Sequence, residues 1–403
     1  MVCCAPIQPD EQAPVSVSSF RILMFARYLP PEYSGAASQA LLLAKRLRER
    51  GHCIEFVSPA WKGVPRRYEV DGFPVTGIHI NLQAVHQEFS VWRALLAHLW
   101  ARRREIDIVH GQGANYTQSI VGPLGRLLGK PSLVKASLAN DDLSSLSGSR
   151  VSRIHRAFLG MVDAYVAISA DLEQEFAVRG LSGAKVRRIP NGVDTQRFHP
   201  ATSAQKRQAA LALGLPPERE IALFVGVLDR RKRVEWLCER WIATAGFGTG
   251  RLLLVVGPTS REPYGADLRC RLEQWAAAHP DLLRIHPHVQ DVAPYYHASD
   301  CFIFPSCNEG LPNALLEALA CGLPAAATRV SGCNELVREG VTGAAFEVDD
   351  AAGLAAALRT LEGESGRRMG AAARRLVEAS FDIDTVAVCY EDLYGELMQL
   401  RRR

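Results

Sequence analysis

Residues 301–328 place an amphipathic segment between two apolar runs, and this pattern constrains the fold of the chain strongly. Residues 301–305 form the kind of short apolar run that a buried parallel strand requires. A polar loop leads to Pro312, which suits the first turn of a helix because the missing N–H would have no partner there. Gly322 can end the helix, and residues 324–328 begin the next strand. This strand–helix–strand unit predicts an α/β protein with a parallel sheet.

Similar strand–loop–helix units recur along the chain, for example at residues 20–50 and 221–243. Because 403 residues exceed one ordinary hydrophobic core, we predict two Rossmann-like, doubly wound parallel-sheet domains that face each other across a cleft. The predicted segments are a disordered tail (1–19), a first domain (20–198), a linker (199–218), a second domain (219–379) and a C-terminal helix (380–403).

Two carboxylates interrupt the unit at residues 301–328. Glu309 lies in the loop and Glu317 in the otherwise apolar helix. A helix rises roughly 7–8 Å from Pro312 to Glu317, which is about the span of a diphosphate. The helix N-terminus offers free N–H groups and the positive end of its dipole to such a ligand. A nucleotide-sugar would fit, with the sugar near Glu309 and the ribose near Glu317. The alternative is that Glu309 is a loop charge and Glu317 is solvated.

These glutamates and the surrounding sequence EGLPNALLEALACGLP resemble the donor-site motif of retaining glycosyltransferases of family 4, which have the GT-B fold. The resemblance implies a nucleotide-sugar donor, retention of the anomeric configuration, and a C-terminal helix that crosses back to the first domain. It also implies that Glu309 and Lys232 are catalytic. The implied donor-binding residues are Gly35, Arg231, Lys232, Val289, Glu309, Gly310, Leu311, Pro312, Asn313 and Glu317.

The chain departs from the family pattern at the predicted phosphate contacts. Val227 stands where the family has an arginine that joins Lys232 on the departing diphosphate, so Arg231 or Arg230 would have to compensate. Fixed cations are needed there because the leaving group accumulates negative charge. Ala36 replaces the second glycine of a pair beside Gly35. The alternative for the Arg/Lys loop is an ordinary solvated turn.

Two residues are candidates for the acceptor side of the cleft. His110 ends a predicted strand, residues 107–110, and ligands bind at that edge of open α/β sheets. The resemblance at DIVH makes it a catalytic candidate, whereas a structural histidine is the alternative. After the strand at residues 132–137 the family often has a histidine, where this chain has Lys135, Ser137 and Asp142. Asp142 is the second candidate.

Composition limits the remaining possibilities. The net charge of +4 includes arginine runs in the first half, such as residues 102–104, which predict a solvated helix face or contact with an anionic membrane. We expect no nucleic-acid binding, because aromatic residues do not alternate with these charges. Scattered cysteines and the lack of a signal-peptide pattern predict a cytoplasmic protein, with peripheral contact at the inner membrane face as an addition.

The triplet Asp382-Ile383-Asp384 resembles a metal-binding D-x-D pattern, but capping of the terminal helix explains it as well. We therefore expect no metal ion and no other cofactor.

The predicted reaction is transfer of a hexose from a UDP-sugar, or a GDP-sugar, to a hydroxyl of a glycan, lipid-linked or small-molecule acceptor by same-face attack. The alternatives are a nucleotide-sugar epimerase, a phosphorylase and a nucleotide-binding protein without activity.

Overall fold

The structure is a computed structural model that describes residues 19–30, 34–60, 64–79, 87–138, 142–146, 150–260 and 262–402. The predicted tail, residues 1–19, falls almost entirely outside these ranges. Within them the chain forms two separate β-sheets, each flanked by helices. No helix in these ranges is long and apolar enough to cross a membrane.

The first domain contains an eight-stranded sheet with the order β3-β4-β2-β1-β5-β6-β7-β8, in which β3 is antiparallel to β4 and the other neighbours are parallel. The strands are β1 Arg21–Ala26, β2 Cys53–Ala60, β3 Arg67–Val70, β4 Phe73–His79, β5 Ile108–Gln112, β6 Ser132–Ala136, β7 Ala164–Ala167 and β8 Val186–Arg188. The helices are α1 Gly35–Glu49, α2 Gln87–Ala101, α3 Val121–Leu128, α4 Arg150–Gly160 and α5 Ala170–Val178.

The second domain contains a parallel six-stranded sheet with the order β11-β10-β9-β12-β13-β14. The strands are β9 Ile221–Val225, β10 Leu252–Val256, β11 Leu283–His286, β12 Cys301–Phe304, β13 Ala325–Thr328 and β14 Gly343–Phe346. The helices from here to the C-terminus are α6 Ser203–Ala212, α7 Val234–Ala243, α8 Pro263–Ala278, α9 Ala293–His297, α10 Asn313–Ala320, α11 Cys333–Leu336, α12 Ala351–Thr360, α13 Gly363–Ser380 and α14 Ile383–Arg402.

Both sheets reverse their strand order at the first strand of the domain. β1 lies between β2 and β5, and β9 lies between β10 and β12. In open α/β sheets, ligands bind outside the carboxyl ends of the strands at such a point. The crevices of the two sheets therefore indicate where a ligand site would form.

The C-terminal helix α14 packs against α1 of the first domain. Glu391 accepts hydrogen bonds from Arg50 and His52, at 2.8 Å each, and these contacts join the helix to the end of α1. The predicted linker, residues 199–218, contains α6, which packs against α9. Its Lys206 also pairs with Asp300, so this segment packs on the second domain.

Candidate active site

A cavity of about 290 Å³ lies between the two domains at the carboxyl ends of the strands. The first domain contributes the start of α1 and the ends of β5 and β6, and the second domain contributes the loops after β9 and β12. The predicted site residues that line the cavity are Gly35, Arg231, Lys232, Glu309, Gly310, Leu311, Pro312, Asn313 and Glu317. Three others do not line it: His110, Asp142 and Val289.

Glu309 is the most heavily hydrogen-bonded side chain in the cavity. Its Oε1 atom accepts bonds from Lys232 Nζ at 2.7 Å, Arg231 Nη1 at 2.6 Å and Ser306 Oγ at 2.5 Å. Burial alone would raise the pKa of Glu309, but the two adjacent cations outweigh it and hold the pKa below its usual value. The carboxylate is therefore ionised at neutral pH.

The turn after β9 holds the two cations beside Glu309. Asp229 accepts a hydrogen bond from the Lys232 backbone N–H at 2.8 Å, and Lys232 Nζ lies 4.5 Å from the centre of the Phe304 ring. Arg230 does not line the cavity, because its guanidinium stacks 3.9 Å from the centre of the Tyr264 ring. Of the two arginines expected to compensate for Val227, only Arg231 is therefore placed to do so.

Glu317 lies one and a half turns into α10, in the same cavity as Glu309. Its Oε2 atom accepts a hydrogen bond from the Tyr296 hydroxyl at 2.8 Å. Burial raises the pKa of Glu317 to about 7, although Tyr296 and the charge of Arg197 act in the opposite direction. This carboxyl is consequently close to half protonated at neutral pH.

Hydrogen bonds from two asparagine side chains join the domains at the start of α10. Asn191 Nδ2 donates to the Leu311 carbonyl at 3.0 Å and to Asn313 Oδ1 at 2.9 Å, while Asn313 Nδ2 donates to the Gly35 carbonyl at 3.0 Å. A Cβ atom on Gly310 would lie 2.1 Å from the Ser137 carbonyl oxygen. Sequence reasoning missed Asn191, since an Asn-Gly pair is also an ordinary turn signal.

His110, the first acceptor-side candidate, does not line the cavity. Strand β5 continues to Gln112, so His110 lies inside the strand and Gln112, not His110, reaches the cavity. His110 is fully buried against α14, where Nδ1 lies 2.9 Å from the Tyr394 hydroxyl. Burial and the nearby charge of Lys135 lower the pKa of His110 to about 3. The imidazole is therefore a neutral, structural group.

Asp142 and Val289 also have roles outside the cavity. Asp142 Oδ2 accepts from the Ser137 and Leu138 backbone N–H groups, at 2.5 and 3.1 Å, and so fixes the loop after β6 that does line the cavity. Val289 packs against buried apolar side chains. Neither residue is positioned to contact a ligand in this cavity.

The triplet at Asp382 lies at the start of α14. Asp382 Oδ1 accepts from the Asp384 backbone N–H at 2.8 Å, and its other oxygen accepts from the Thr195 hydroxyl. These bonds fit the capping interpretation. In the part of the chain that the structure describes, no group of three or more His, Cys, Asp or Glu side chains is arranged to hold a metal ion.

Two family models match the chain, one for each domain. Residues 33–197 match the model "Glycosyltransferase Family 4", and residues 219–363 match "Glycosyl transferases group 1". The chain belongs to glycosyltransferase family 4. The predicted class of enzyme, a glycosyltransferase, is confirmed by this assignment.

Among curated relatives of this family 4 glycosyltransferase is a D-inositol 3-phosphate glycosyltransferase from Geodermatophilus obscurus, 38% identical over 192 residues. That match spans 44% of this chain and 41% of the relative, so it covers less than half of the relative's length. An N-acetyl-alpha-D-glucosaminyl L-malate synthase from Bacillus anthracis is 26% identical over 92% of this chain and 96% of the relative.

Solved structures of similar fold extend over nearly the whole chain. A sucrose-phosphate synthase from Thermosynechococcus elongatus has a TM-score of 0.75 at 21% identity and covers 94% of this chain and 100% of that one. The HepE protein of Anabaena in complex with UDP has a TM-score of 0.76 at 17% identity, with coverage of 93% and 100%. These likenesses confirm the predicted GT-B fold.

Proposed function

We propose that this glycosyltransferase moves a hexose-type sugar from a nucleoside diphosphate donor, with UDP favoured, to a hydroxyl of an acceptor with retention of configuration. One observation carries the proposal: Glu309 and Glu317 lie in a single cavity on either side of the α10 N-terminus, with Lys232 and Arg231 beside Glu309. The UDP complex of the structurally similar HepE supports the choice of nucleotide.

The donor diphosphate would lie on the first turn of α10. The N–H groups of that turn have no partner within the helix, and the dipole adds a partial positive charge. Lys232 and Arg231 would stabilise the charge that develops on the departing diphosphate. Because these two cations are part of the chain, we propose that the reaction requires no metal ion. Glu317 would accept hydrogen bonds from the ribose hydroxyls.

The surroundings of Glu309 favour same-face attack over a double displacement. Charge-assisted hydrogen bonds stabilise a carboxylate and so make it a weaker nucleophile. Glu309 has three donors on Oε1, two of them cationic. We therefore assign it to holding sugar hydroxyls, while the leaving phosphate oxygen takes the proton of the acceptor hydroxyl as the new glycosidic bond forms.

A small-molecule acceptor is favoured by the names of the relatives, which specify inositol 3-phosphate and L-malate. A glycan or lipid-linked acceptor is the alternative, and contact with an anionic membrane would accompany a lipid-linked one.

Incubation with UDP-, GDP- and ADP-sugars, with and without acceptors, tests the proposal. We expect nucleoside diphosphate release that depends on an acceptor and persists in EDTA, and an α-linked product from an α-linked donor. Isomerised donor without acceptor would identify an epimerase instead. Nucleotide binding without turnover would identify a binding protein, and either outcome would overturn the proposal.

Replacing Gly310 with alanine is expected to lower kcat/KM at least about tenfold, because a misplacement of reacting groups by about 1 Å has effects of this size or larger. The added Cβ would collide with the Ser137 carbonyl oxygen and push the loop that carries Glu309 away from the first domain. Steady-state kinetics measure the effect. Gly395→Ala is the control, because a Cβ at Gly395 in α14 has open space around it. Unchanged kinetics in Gly310→Ala would contradict the close domain contact.

Binding of the nucleotide-sugar is expected to weaken by about tenfold between pH 8 and pH 6, since a carboxyl with a pKa near 7 becomes mostly protonated over this range. Only the ionised form of Glu317 accepts bonds from both ribose hydroxyls, so the affinity falls as the pH falls. Titration calorimetry with an intact nucleotide-sugar, whose diphosphate does not titrate here, measures the change. In Glu317→Gln the affinity should be lower and nearly independent of pH. A wild-type affinity that is flat across this range would contradict the role of Glu317.

A further inference from the structure

Lys135 is a buried cation in the wall of the cavity that the predicted donor site does not use. It lies in β6, the residue is nearly inaccessible at 5% exposure, and it lines the cavity. Among the residues that the structure describes, no hydrogen bond or ion pair to Lys135 Nζ is found. Burial of an ammonium group without a counter-charge is unfavourable, and an anion that arrives with a ligand would offset this cost.

The charges on the two walls of the cavity differ. On the second-domain wall, Lys232 and Arg231 are both paired with Glu309. Among the described residues that line the first-domain wall, Lys135 is the one charged side chain, and no Asp or Glu accompanies it. The described part of the first-domain wall therefore carries one basic side chain and no acidic one.

Gln112 is opposite Lys135 in the β5–β6 register and lines the cavity. However, its Nε2 lies 3.2 Å from His110 Nε2 and 3.8 Å from Met24 Sδ, so its amide N–H groups are already engaged. One neighbouring element does strengthen the positive site. The first turn of the 15-residue helix α1, beginning at Gly35, lies on the same wall, and its N-cap Ser34 makes no side-chain capping bond. Helix N-termini favour anions through their N–H groups and dipole. Burial lowers the pKa of Lys135 to about 7, so an adjacent anion would restore its full charge.

We propose that Lys135 binds the anionic group of the acceptor, a phosphate or a carboxylate, and thereby selects anionic acceptors over neutral ones. This inference rests on the proposed function, because it assigns the donor diphosphate to the opposite wall at α10. The donor diphosphate is the other possible source of the anion, and the experiment separates the two.

The first experiment needs no knowledge of the acceptor. Inorganic phosphate is titrated into protein saturated with UDP, for the wild type and for Lys135→Met. We expect the wild type to bind phosphate and Lys135→Met to bind it at least about 30-fold more weakly, while the UDP affinity changes less than about twofold. Lack of phosphate binding in the wild type, equal binding in both proteins, or a loss of UDP affinity in Lys135→Met would each overturn the inference.

The second experiment compares acceptors that differ only in charge, such as inositol 3-phosphate with inositol, and L-malate with its dimethyl ester. The wild type should turn over the anionic member of a pair with the lower KM, and Lys135→Met should raise that KM at least about 30-fold with a smaller effect on kcat. Equal use of charged and neutral acceptors would overturn the inference. If no acceptor is used at all, the proposed function fails, whereas the phosphate titration still decides the role of Lys135.

A stability measurement distinguishes this functional role from a structural one. Lys135→Met removes a buried, unpaired ammonium, so its Tm without ligand should be higher than that of the wild type. The matched control is Lys185→Met, because Lys185 Nζ donates to the Gly160 and Val162 carbonyls at 2.9 and 2.7 Å, away from the cavity. That variant should have a lower Tm and unchanged phosphate binding. A lower Tm in Lys135→Met would show that Lys135 stabilises the fold and would count against the inference.

Discussion

Replacing Glu309 with glutamine is expected to lower kcat by roughly 10²–10³-fold, the effect of losing one preorganised electrostatic contact in an active site. The glutamine lacks the negative charge that offsets positive charge at the anomeric carbon and holds the sugar hydroxyls. Nucleotide affinity should stay the same or increase, because Lys232 and Arg231 lose their partner and become available to the diphosphate. A fall in kcat without a fall in affinity is therefore the pattern that this role predicts.

Glu309→Gln also removes the counter-charge of the buried Lys232 and the partly buried Arg231, which costs stability. The measurements must therefore be made well below the Tm of the variant, with kcat from steady-state kinetics and Kd for UDP from calorimetry. Glu309→Asp keeps the charge and should retain stability while losing part of kcat. Glu364→Gln is the control, since Glu364 is an exposed carboxylate paired with Arg367 in α13. Near-normal turnover in Glu309→Gln would refute the assignment.

Replacing Lys232 with methionine is expected to weaken UDP binding by roughly 30- to 100-fold. Losing one member of a buried, hydrogen-bonded charge pair typically weakens binding by this much. Lys232 is largely buried, its Nζ lies beside the cavity, and Val227 supplies no cation of its own. Arg231 would remain as the nearby cation on this wall, so binding should be weak but measurable. The pKa of Glu309 should rise at the same time, because one of its two cationic neighbours is gone.

Calorimetry with UDP measures this loss. Lys206→Met is a matched control, since Lys206 pairs with Asp300 in the same domain but does not line the cavity. It should change stability and leave the UDP affinity as it is. If Lys232→Met binds UDP as tightly as the wild type does, the diphosphate lies elsewhere.

The fold could be predicted from the sequence because the patterns that mark its strands and helices are local. Apolar runs such as Cys301–Phe304, helix faces such as that of α10, and the glycine that follows it mark each strand–helix unit without reference to the rest of the chain. The motif with Glu309 and Glu317 is local as well. Both glutamates lie in one cavity because a short loop and one and a half helical turns fix their separation.

The acceptor side of the cavity was harder to predict from the sequence, because it depends on where strands end and on contacts between distant residues. The predicted strand stopped at His110, whereas β5 continues to Gln112. This difference of two positions determines which side chain reaches the edge of the sheet. The burial of His110 depends on Tyr394, 284 positions away in sequence. Arg230 is likewise removed from the cavity by Tyr264, a partner that no local pattern identifies.

A crystal structure of the protein with UDP or an unreactive UDP-sugar tests the central claim most directly. We expect the diphosphate within hydrogen-bonding distance of Lys232 Nζ and of the backbone N–H groups in the first turn of α10. The ribose hydroxyls should then contact the Glu317 carboxylate, and the sugar should lie beside Glu309. A nucleotide bound outside the cavity, or one inside it whose diphosphate contacts neither α10 nor Lys232, would contradict the account.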